Sequence, residues 1–171
     1  MLDQVQKPTR YTGGEMNTQL KPWDSAKLHF AFCFPDTYEV GMSHLGMKIL
    51  YAAMNQQPDM LCERTFMPWV DMMDLMKQEK VPLFTLESRS PLSAFDVVGF
   101  TLQYEMSYSN ILAMLELGGI PLLRENRREE DPIVVAGGPC AFNPEPLADF
   151  IDAFMVGDGE EQILDLSLIH I

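Results

Sequence analysis

Short, uninterrupted apolar runs alternate with helix-like patterns along this chain. The clearest runs are Leu28–Phe34 (LHFAFCF), Asp96–Leu102 (DVVGFTL) and Ile133–Ala136 (IVVA). A run that stays apolar at consecutive positions is typical of a strand that is buried on both faces, as in a parallel sheet covered by helices. The alternation therefore predicts an α/β fold whose central sheet is mainly parallel.

Weaker segments complete a strand–helix order that repeats about five times. We expect further strands at Leu61–Met67, around Leu83–Leu86 and ending at Val156, and helices from Ser43, at Val70–Lys80, around Tyr108–Leu115 and from Gly159. Gly118 and Gly119 end the helix around Tyr108–Leu115. Right-handed crossovers then favour a doubly wound, flavodoxin-like, three-layer domain.

Three regions are expected. Residues 1–27 are polar and interrupted by Gly13, Gly14 and Pro22, so they predict an irregular N-terminal arm. The α/β domain then occupies residues 28–166. The last residues, SLIHI, follow an apolar stretch without a helix cap, so we expect 167–171 to be a truncated or non-native tail and the chain to be a fragment of a longer protein.

The charge balance limits the possible partners. The chain has 171 residues with 12 Lys and Arg against 25 Asp and Glu, a net charge of −13. Nucleic acids are therefore not expected as partners, because phosphate binding needs clustered cations. The sequence has neither the apolar stretch of about 20 residues that a membrane helix needs nor a signal-peptide core. A cytoplasmic location follows.

The candidate site lies on the loops that follow the predicted strands. Ligands of doubly wound sheets bind beyond the carboxyl ends of the strands. The residues of these loops that we expect to bind a cofactor are Tyr38, Glu39, Gly41, Ser43, His44, Thr101, Gln103, Gly137, Gly138 and Gly157. Taken singly, each glycine is explained by a tight turn. Because four strand ends are all followed by such residues, we expect these loops to form one binding surface, which we call the rim.

Several common sites are not indicated. The sequence has neither GxGxxG after its first strand nor GxxxxGK[ST], and it lacks the Ser/Thr-rich loop that an FMN phosphate needs. Cys33, Cys62 and Cys140 form no CxxC or CxxxCxxC cluster, so we expect no metal site. No catalytic residue is assigned. His44 has four open interpretations, which are a ligand, a general base, a helix cap and a packed polar residue.

Many ordered segments resemble one known family. They are FPDTYEVGMSHLG, ERTFMPWVDM, PLFTLES, FDVVGFTLQYEMSYSNIL, GGIPLL, GGPCAFNPEPLADFIDAF and VGDGEE. From about Tyr11 to about Leu166, the chain resembles the N-terminal region of a radical SAM family that carries a cobalamin-binding-type domain ahead of its barrel. Relatives read GGPH and VGEGE where this chain reads GGPC and VGDGE.

The resemblance implies a cytoplasmic enzyme that uses a [4Fe-4S] cluster and S-adenosylmethionine, both held by a downstream barrel of the same polypeptide. The chain alone is then expected to be inactive. The DxHxxG motif of one cobalamin class is absent, since Met42 stands where Asp would be needed and Cys140 stands where relatives often have His. Cobalamin would thus bind without a histidine on cobalt, its nucleotide tail held by Thr101 and by the rim glycines 137, 138 and 157. The alternative is a cofactor-free regulatory or interaction module.

Overall fold

The computed structural model describes residues 1–159, 162 and 163. In this part of the chain the strands are Leu28–Phe34 (β1), Met60–Phe66 (β2), Val97–Thr101 (β3), Ile133–Gly137 (β4) and Ala153–Met155 (β5). They form one sheet with the order β2-β1-β3-β4-β5, and all four neighbouring pairs are parallel. This is the flavodoxin-like order. The predicted fold class is confirmed, and β1, β3 and β4 are interior strands as expected.

Four α-helices connect these strands. They are Tyr38–Ser43 (α1), Leu45–Gln56 (α2), Val70–Glu79 (α3) and Tyr108–Leu117 (α4). Short 3-10 turns fill the remaining connections, including two in the proline-rich loop after β4. Across the described residues, no helix has the length and apolar character that crossing a membrane requires.

The two faces of the sheet have separate apolar cores. Along β1 the side chains alternate, so that Phe30 and Phe32 point to one face while Ala31 and Cys33 point to the other. The phenylalanine face is covered by α2 through Met47, Tyr51 and Met54. The opposite face is covered by α3 and α4 through Met72, Met76, Ile111, Met114 and Leu115. This arrangement explains why the strands are apolar at consecutive positions.

Two sequence-based expectations are wrong in detail. Leu83–Leu86 is not a strand, and it contributes only an isolated antiparallel bridge between Phe84 and Pro91. Its amide groups donate to three separate places, Leu117, Ser90 and Arg64, so no continuous ladder forms. The helix predicted from Ser43 begins two residues later, as α2, and a short helix that was not predicted, α1, precedes it; His44 separates the two because its backbone is extended.

Two other predictions lie outside the described residues. The first is the body of the helix expected from Gly159 to Leu166, of which Gly159, Gln162 and Ile163 are described. The second is the tail at 167–171. Of these described residues, Ile163 is buried in the core on the α2 face of the sheet.

The outer edge of β2 is satisfied by side chains and a loop instead of by another strand. Asn55 accepts from the Cys62 amide at 3.1 Å and donates to the Cys62 carbonyl at 2.9 Å. Two residues earlier along β2, Lys21 donates to the Met60 carbonyl at 2.7 Å. Further along, the Arg64 amide donates to Glu87 at 2.7 Å, and the Arg64 carbonyl accepts from the Leu86 amide at 2.8 Å. Exposed strand edges can pair with other chains, so these contacts protect the β2 edge against aggregation.

The N-terminal arm lies along this same edge. At the carboxyl end of the sheet, Lys7 and Arg10 bind Glu39 of α1. In the middle, the Gln19 amide donates to the Tyr51 hydroxyl at 2.8 Å. At the amino end, the Trp23 ring stacks on His29 with 4.1 Å between ring centroids. The arm is irregular in its backbone but is in contact with the domain along its length.

We predict that Asn55→Leu lowers the free energy of unfolding by about 2–5 kcal/mol, because it leaves two buried backbone groups of Cys62 without partners at about 1–3 kcal/mol each. Asn110→Ala is the matched control, since Asn110 donates one hydrogen bond to the Pro35 carbonyl and should cost about 0.5–1.5 kcal/mol. Urea unfolding followed by tryptophan fluorescence measures both. Equal losses in the two variants would contradict the edge-protecting role of Asn55.

Candidate functional site

An open groove lies at the carboxyl ends of the strands, between α2 and the sheet. Its cavity volume is about 140 Å³. The groove is bordered by β1 and β3, and these are the two strands where the order of the sheet reverses. The connections after β1 and β3 run to opposite sides of this point, which is where ligands of doubly wound domains bind.

The floor of the groove is apolar. It is formed by Phe30 and Phe32 of β1, Val135 of β4 and Met155 of β5. Gly99 of β3 also belongs to the floor, and a Cβ atom at this position would overlap the Phe30 ring. Glycine at 99 therefore allows the Phe30 ring to lie across β3. Met47 and Leu50 of α2 form the wall, so most of the groove surface is suited to an apolar ligand group.

The mouth of the groove carries the polar groups. Thr101 ends β3, and its hydroxyl accepts a hydrogen bond from the side-chain amide of Gln103. Gly137 pairs with Thr101 in the sheet. Gly138 has φ +106°, and a Cβ atom there would lie 2.9 Å from the Leu102 carbonyl oxygen. Only glycine fits this turn without strain, which brings the loop after β4 against the loop after β3.

His44 stands where α1 ends and α2 begins. Its Nδ1 atom accepts a hydrogen bond from the Met47 amide at 3.2 Å, which caps the N-terminus of α2. Its ring lies beside Phe34, with 5.4 Å between ring centroids, and lines the groove. The helix-cap interpretation of His44 is therefore confirmed, and the same side chain also faces the candidate site.

The groove has no charged lining among the described residues. Its side chains are apolar apart from His44, Thr101 and Gln103, and the rest of its polar surface is backbone. A ligand whose bound portion carries a full charge would lose its water there without gaining a counter-charge, which is costly. The described part of the lining is thus suited to an uncharged group.

Six of the ten predicted site residues line this groove. They are His44, Thr101, Gln103, Gly137, Gly138 and Gly157. Tyr38, Glu39, Gly41 and Ser43 lie on the same edge of the sheet but outside the groove. The structure thus places Gly41, Thr101, Gly137 and Gly157 together at one edge, as expected from parallel strands. The role of all ten residues in binding stays a prediction.

The four residues outside the groove make structural contacts. Gly41 is buried, and a Cβ atom there would overlap the Phe66 ring. The Tyr38 hydroxyl donates to Glu15 of the arm at 3.0 Å, and the Ser43 hydroxyl donates to the Val40 carbonyl at 2.7 Å. Glu39 accepts from Arg10 at 2.9 Å and from Lys7 at 3.1 Å. These contacts hold the arm and α1 in place.

Sequence reasoning missed the floor of the groove. Phe30, Phe32 and Gly99 were assigned to buried strands without a role in binding. The signal was the alternation within LHFAFCF, where every second residue is phenylalanine from position 30 to 34. Alternation places these rings on one face, but the sequence does not show that α2 leaves part of that face uncovered.

The three cysteines do not converge. Cys33 and Cys62 are fully buried and belong to the cores on opposite faces of the sheet. Burial raises the pKa of both thiols well above the ordinary value, which disfavours the thiolate that binds iron. Cys140 lies on the loop after β4. Within the described ranges, no group of three or more His, Cys, Asp or Glu side chains is arranged to hold a metal ion.

The fold and the groove together define a flavodoxin-like domain with an apolar groove at its topological switch point. A family model for the N-terminal region of radical SAM proteins matches residues 46–170. The match covers most of the chain, and the chain belongs to this family. The radical SAM part of the sequence-based resemblance is therefore confirmed.

One curated relative is similar to this chain. It is an uncharacterized protein of Methanocaldococcus jannaschii, 28% identical over 141 residues, which are 82% of this chain and 26% of the relative. The chain thus spans about a quarter of the length of that protein.

We predict that Glu39 stabilises the arm through a charge that is lost in acid. Desolvation acts to raise the pKa of Glu39, but hydrogen bonds from Arg10, its own backbone and Lys7 outweigh it and lower the pKa from 4.5 to about 2. A lowered folded-state pKa gives stability that is present above pH 4.5 and is lost as the pH falls toward 2.

Glu39→Gln should therefore reduce the free energy of unfolding at pH 7 by less than about 1 kcal/mol, since the side chain is largely exposed, and by less still at pH 3. Glu105→Gln is the control, because Glu105 is exposed and forms no salt bridge with the described residues. Urea unfolding at both pH values measures the effect. A penalty for Glu39→Gln that grows as the pH falls would contradict this role.

Proposed function

We propose that this chain is the N-terminal, cofactor- or substrate-side domain of a radical SAM enzyme, and that its groove receives the uncharged base at the end of the nucleotide tail of cobalamin. The observation that supports this most directly is an apolar groove with a polar mouth at the switch point of a family member. The aromatic base of the tail matches the apolar floor, and the anionic phosphate of the tail would stay in the solvent at the mouth, beside the hydroxyl, side-chain amide and glycine backbone groups there.

In this proposal the domain binds and orients the cofactor. Gly137, Gly138 and Gly157 let the backbone approach the tail closely, while Thr101 and Gln103 offer hydrogen bonds. Cobalamin would supply chemistry at its cobalt atom, and in this proposal His44 is not a ligand of that metal. The absence of the DxHxxG motif and the position of His44 as a helix cap both support this binding mode.

The iron–sulfur cluster and S-adenosylmethionine belong, in this proposal, to a barrel elsewhere in the whole protein. The described cysteines do not fit a cluster, because Cys33 and Cys62 lie in different cores. The relative that is about four times longer than its aligned region supports the presence of further domains. On this basis we also propose a cytoplasmic enzyme as the parent protein and residues 28–166 as its α/β domain.

The barrel is the proposed partner of the carboxyl edge of the sheet. Eight of the large apolar side chains that are exposed lie on or beside this edge, namely Val40, Leu45, Trp69, Val70, Tyr104, Met106, Phe142 and Val156. Met106 is 85% exposed and Phe142 is 73% exposed. Apolar side chains clustered on one surface indicate contact with another protein surface, and a barrel placed here would cover the mouth of the groove.

A cofactor-free module is the second candidate. It is favoured by the Phe30 ring, which lies against Gly99 and so occupies part of the groove floor with the protein's own aromatic group. In this alternative the apolar edge has an interaction role only, and the groove is a remnant of the fold.

Hydroxocobalamin titration separates these candidates. The cofactor proposal predicts saturable binding by the wild-type chain, and it predicts that Gly137→Leu lowers affinity at least about tenfold by filling the groove. Gly137→Ala should fold normally, because a Cβ atom there would make only ordinary contacts with the protein, at 3.5 Å to Met155, and it should weaken binding less than Gly137→Leu. Isothermal titration calorimetry measures all three proteins. A folded wild-type chain that does not bind supports the cofactor-free module.

We predict that the 171-residue chain does not cleave S-adenosylmethionine reductively. Radical SAM chemistry needs an iron–sulfur cluster held by protein thiolates, and the described cysteines are not arranged for one. The chain should gain no stoichiometric cluster when it is reconstituted anaerobically with iron and sulfide, and it should form no 5′-deoxyadenosine with dithionite. Formation of 5′-deoxyadenosine by the isolated chain would show that this assignment is wrong.

A further inference from the structure

The hydrogen bond that caps α2 determines which nitrogen of His44 carries a proton. A backbone amide can only donate, so the Nδ1 atom that accepts from the Met47 amide must have a free lone pair. In the neutral ring the proton is then on Nε2. The cap thus fixes His44 in the tautomer that presents an N–H group, and not a lone pair, on its second nitrogen.

This second nitrogen is available to a ligand. Among the hydrogen bonds of the described residues, Nδ1 of His44 has a partner and Nε2 has none, and the ring lines the groove while being partly exposed. Thr101 has a similar arrangement nearby, because its oxygen accepts from Gln103 and leaves the hydroxyl hydrogen free to donate. Among the described residues, the mouth of the groove therefore offers two side-chain hydrogen-bond donors and no charged group.

We infer that His44 is a hydrogen-bond donor to the ligand of this groove and is not a metal ligand. This inference rests on the proposed cofactor function, and it specifies the chemistry of the ligand at that site: an uncharged portion that presents an oxygen or nitrogen acceptor. Metal binding through Nε2 requires a lone pair on that atom. Moving the proton to Nδ1 to provide one would remove the cap of α2 and lower the stability of the domain.

Two variants separate the cap from the donor. His44→Asn keeps a cap, since Asn is among the best N-cap residues, but its short side chain does not reach the position of Nε2. His44→Ala removes both. We expect His44→Asn to unfold at nearly the wild-type temperature and to bind hydroxocobalamin about three- to tenfold more weakly, the usual value of one neutral hydrogen bond. His44→Ala should lose affinity and also unfold at a lower temperature.

Nuclear magnetic resonance of the free chain tests the tautomer without any ligand. Long-range proton–nitrogen spectra of histidine-labelled protein at neutral pH should show the His44 proton on Nε2, and the signal is assigned by its loss in His44→Asn. A proton on Nδ1 would overturn the inference. The spectrum and the titration fail independently. A wild-type chain that does not bind hydroxocobalamin contradicts the cofactor proposal, whereas the spectrum tests the tautomer of His44 whether or not the chain binds.

Paramagnetic resonance of bound cob(II)alamin tests the metal directly. If His44 does not bind cobalt, the nitrogen splitting of the cobalt signal is the same in protein labelled with ¹⁴N and ¹⁵N histidine. A splitting that changes with the label, or His44→Asn affinity equal to wild type, would overturn the inference.

Discussion

The structure depends on the requirement that a parallel sheet be covered on both faces by helices that are only about as wide as two strands. A helix is about 10–12 Å across, whereas neighbouring strands lie about 4.8 Å apart. On the face that carries the β1 phenylalanines, α2 lies over the β1–β2 side, so it cannot also cover β3, β4 and β5. Among the described residues, the groove lies between α2 on one side and Gly159 and Ile163 on the other. It lies at the β1–β3 junction because the chain reverses direction across the sheet there.

This topology also places β2 at one edge of the sheet, where the backbone groups on its outer side have no neighbouring strand. Its outward backbone groups are satisfied by Lys21, Asn55 and Glu87. Arg64 extends the same system into the side chains: its guanidinium binds Glu87 at 2.7 Å and Glu15 of the arm at 3.4 Å, and it lies 4.3 Å above the Tyr51 ring. A buried charge is tolerated only when its hydrogen-bonding groups are satisfied. The arm is therefore part of the domain's stability, although its sequence has the polarity of a linker.

The sequence predicted the elements whose pattern is local and failed where partners are distant. Leu28–Phe34 is predicted with its correct bounds, because a short, mostly apolar run ended by Pro35 is typical of a strand buried on both faces, and six of its seven residues are buried. Leu83–Leu86 has the same apolar character, but its amide partners come from three separate segments, which no local pattern shows. Glu39 followed the correct strand end and was assigned to the cofactor. Its partners, Lys7 and Arg10, are about 30 residues away in sequence, and only the folded arm brings them to it.

His44 links the groove to the stability of the domain. Its Nδ1 atom completes the first turn of α2, and α2 is the wall of the groove through Met47 and Leu50. A ligand that accepts from Nε2 leaves this cap intact, and by polarising the ring it strengthens Nδ1 as an acceptor. A metal ion on Nε2 would act in the opposite direction, because it would move the proton to Nδ1, the atom on which the cap depends. The proposed ligand is therefore compatible with the cap of α2, whereas metal ligation would weaken the helix that forms the wall of the groove.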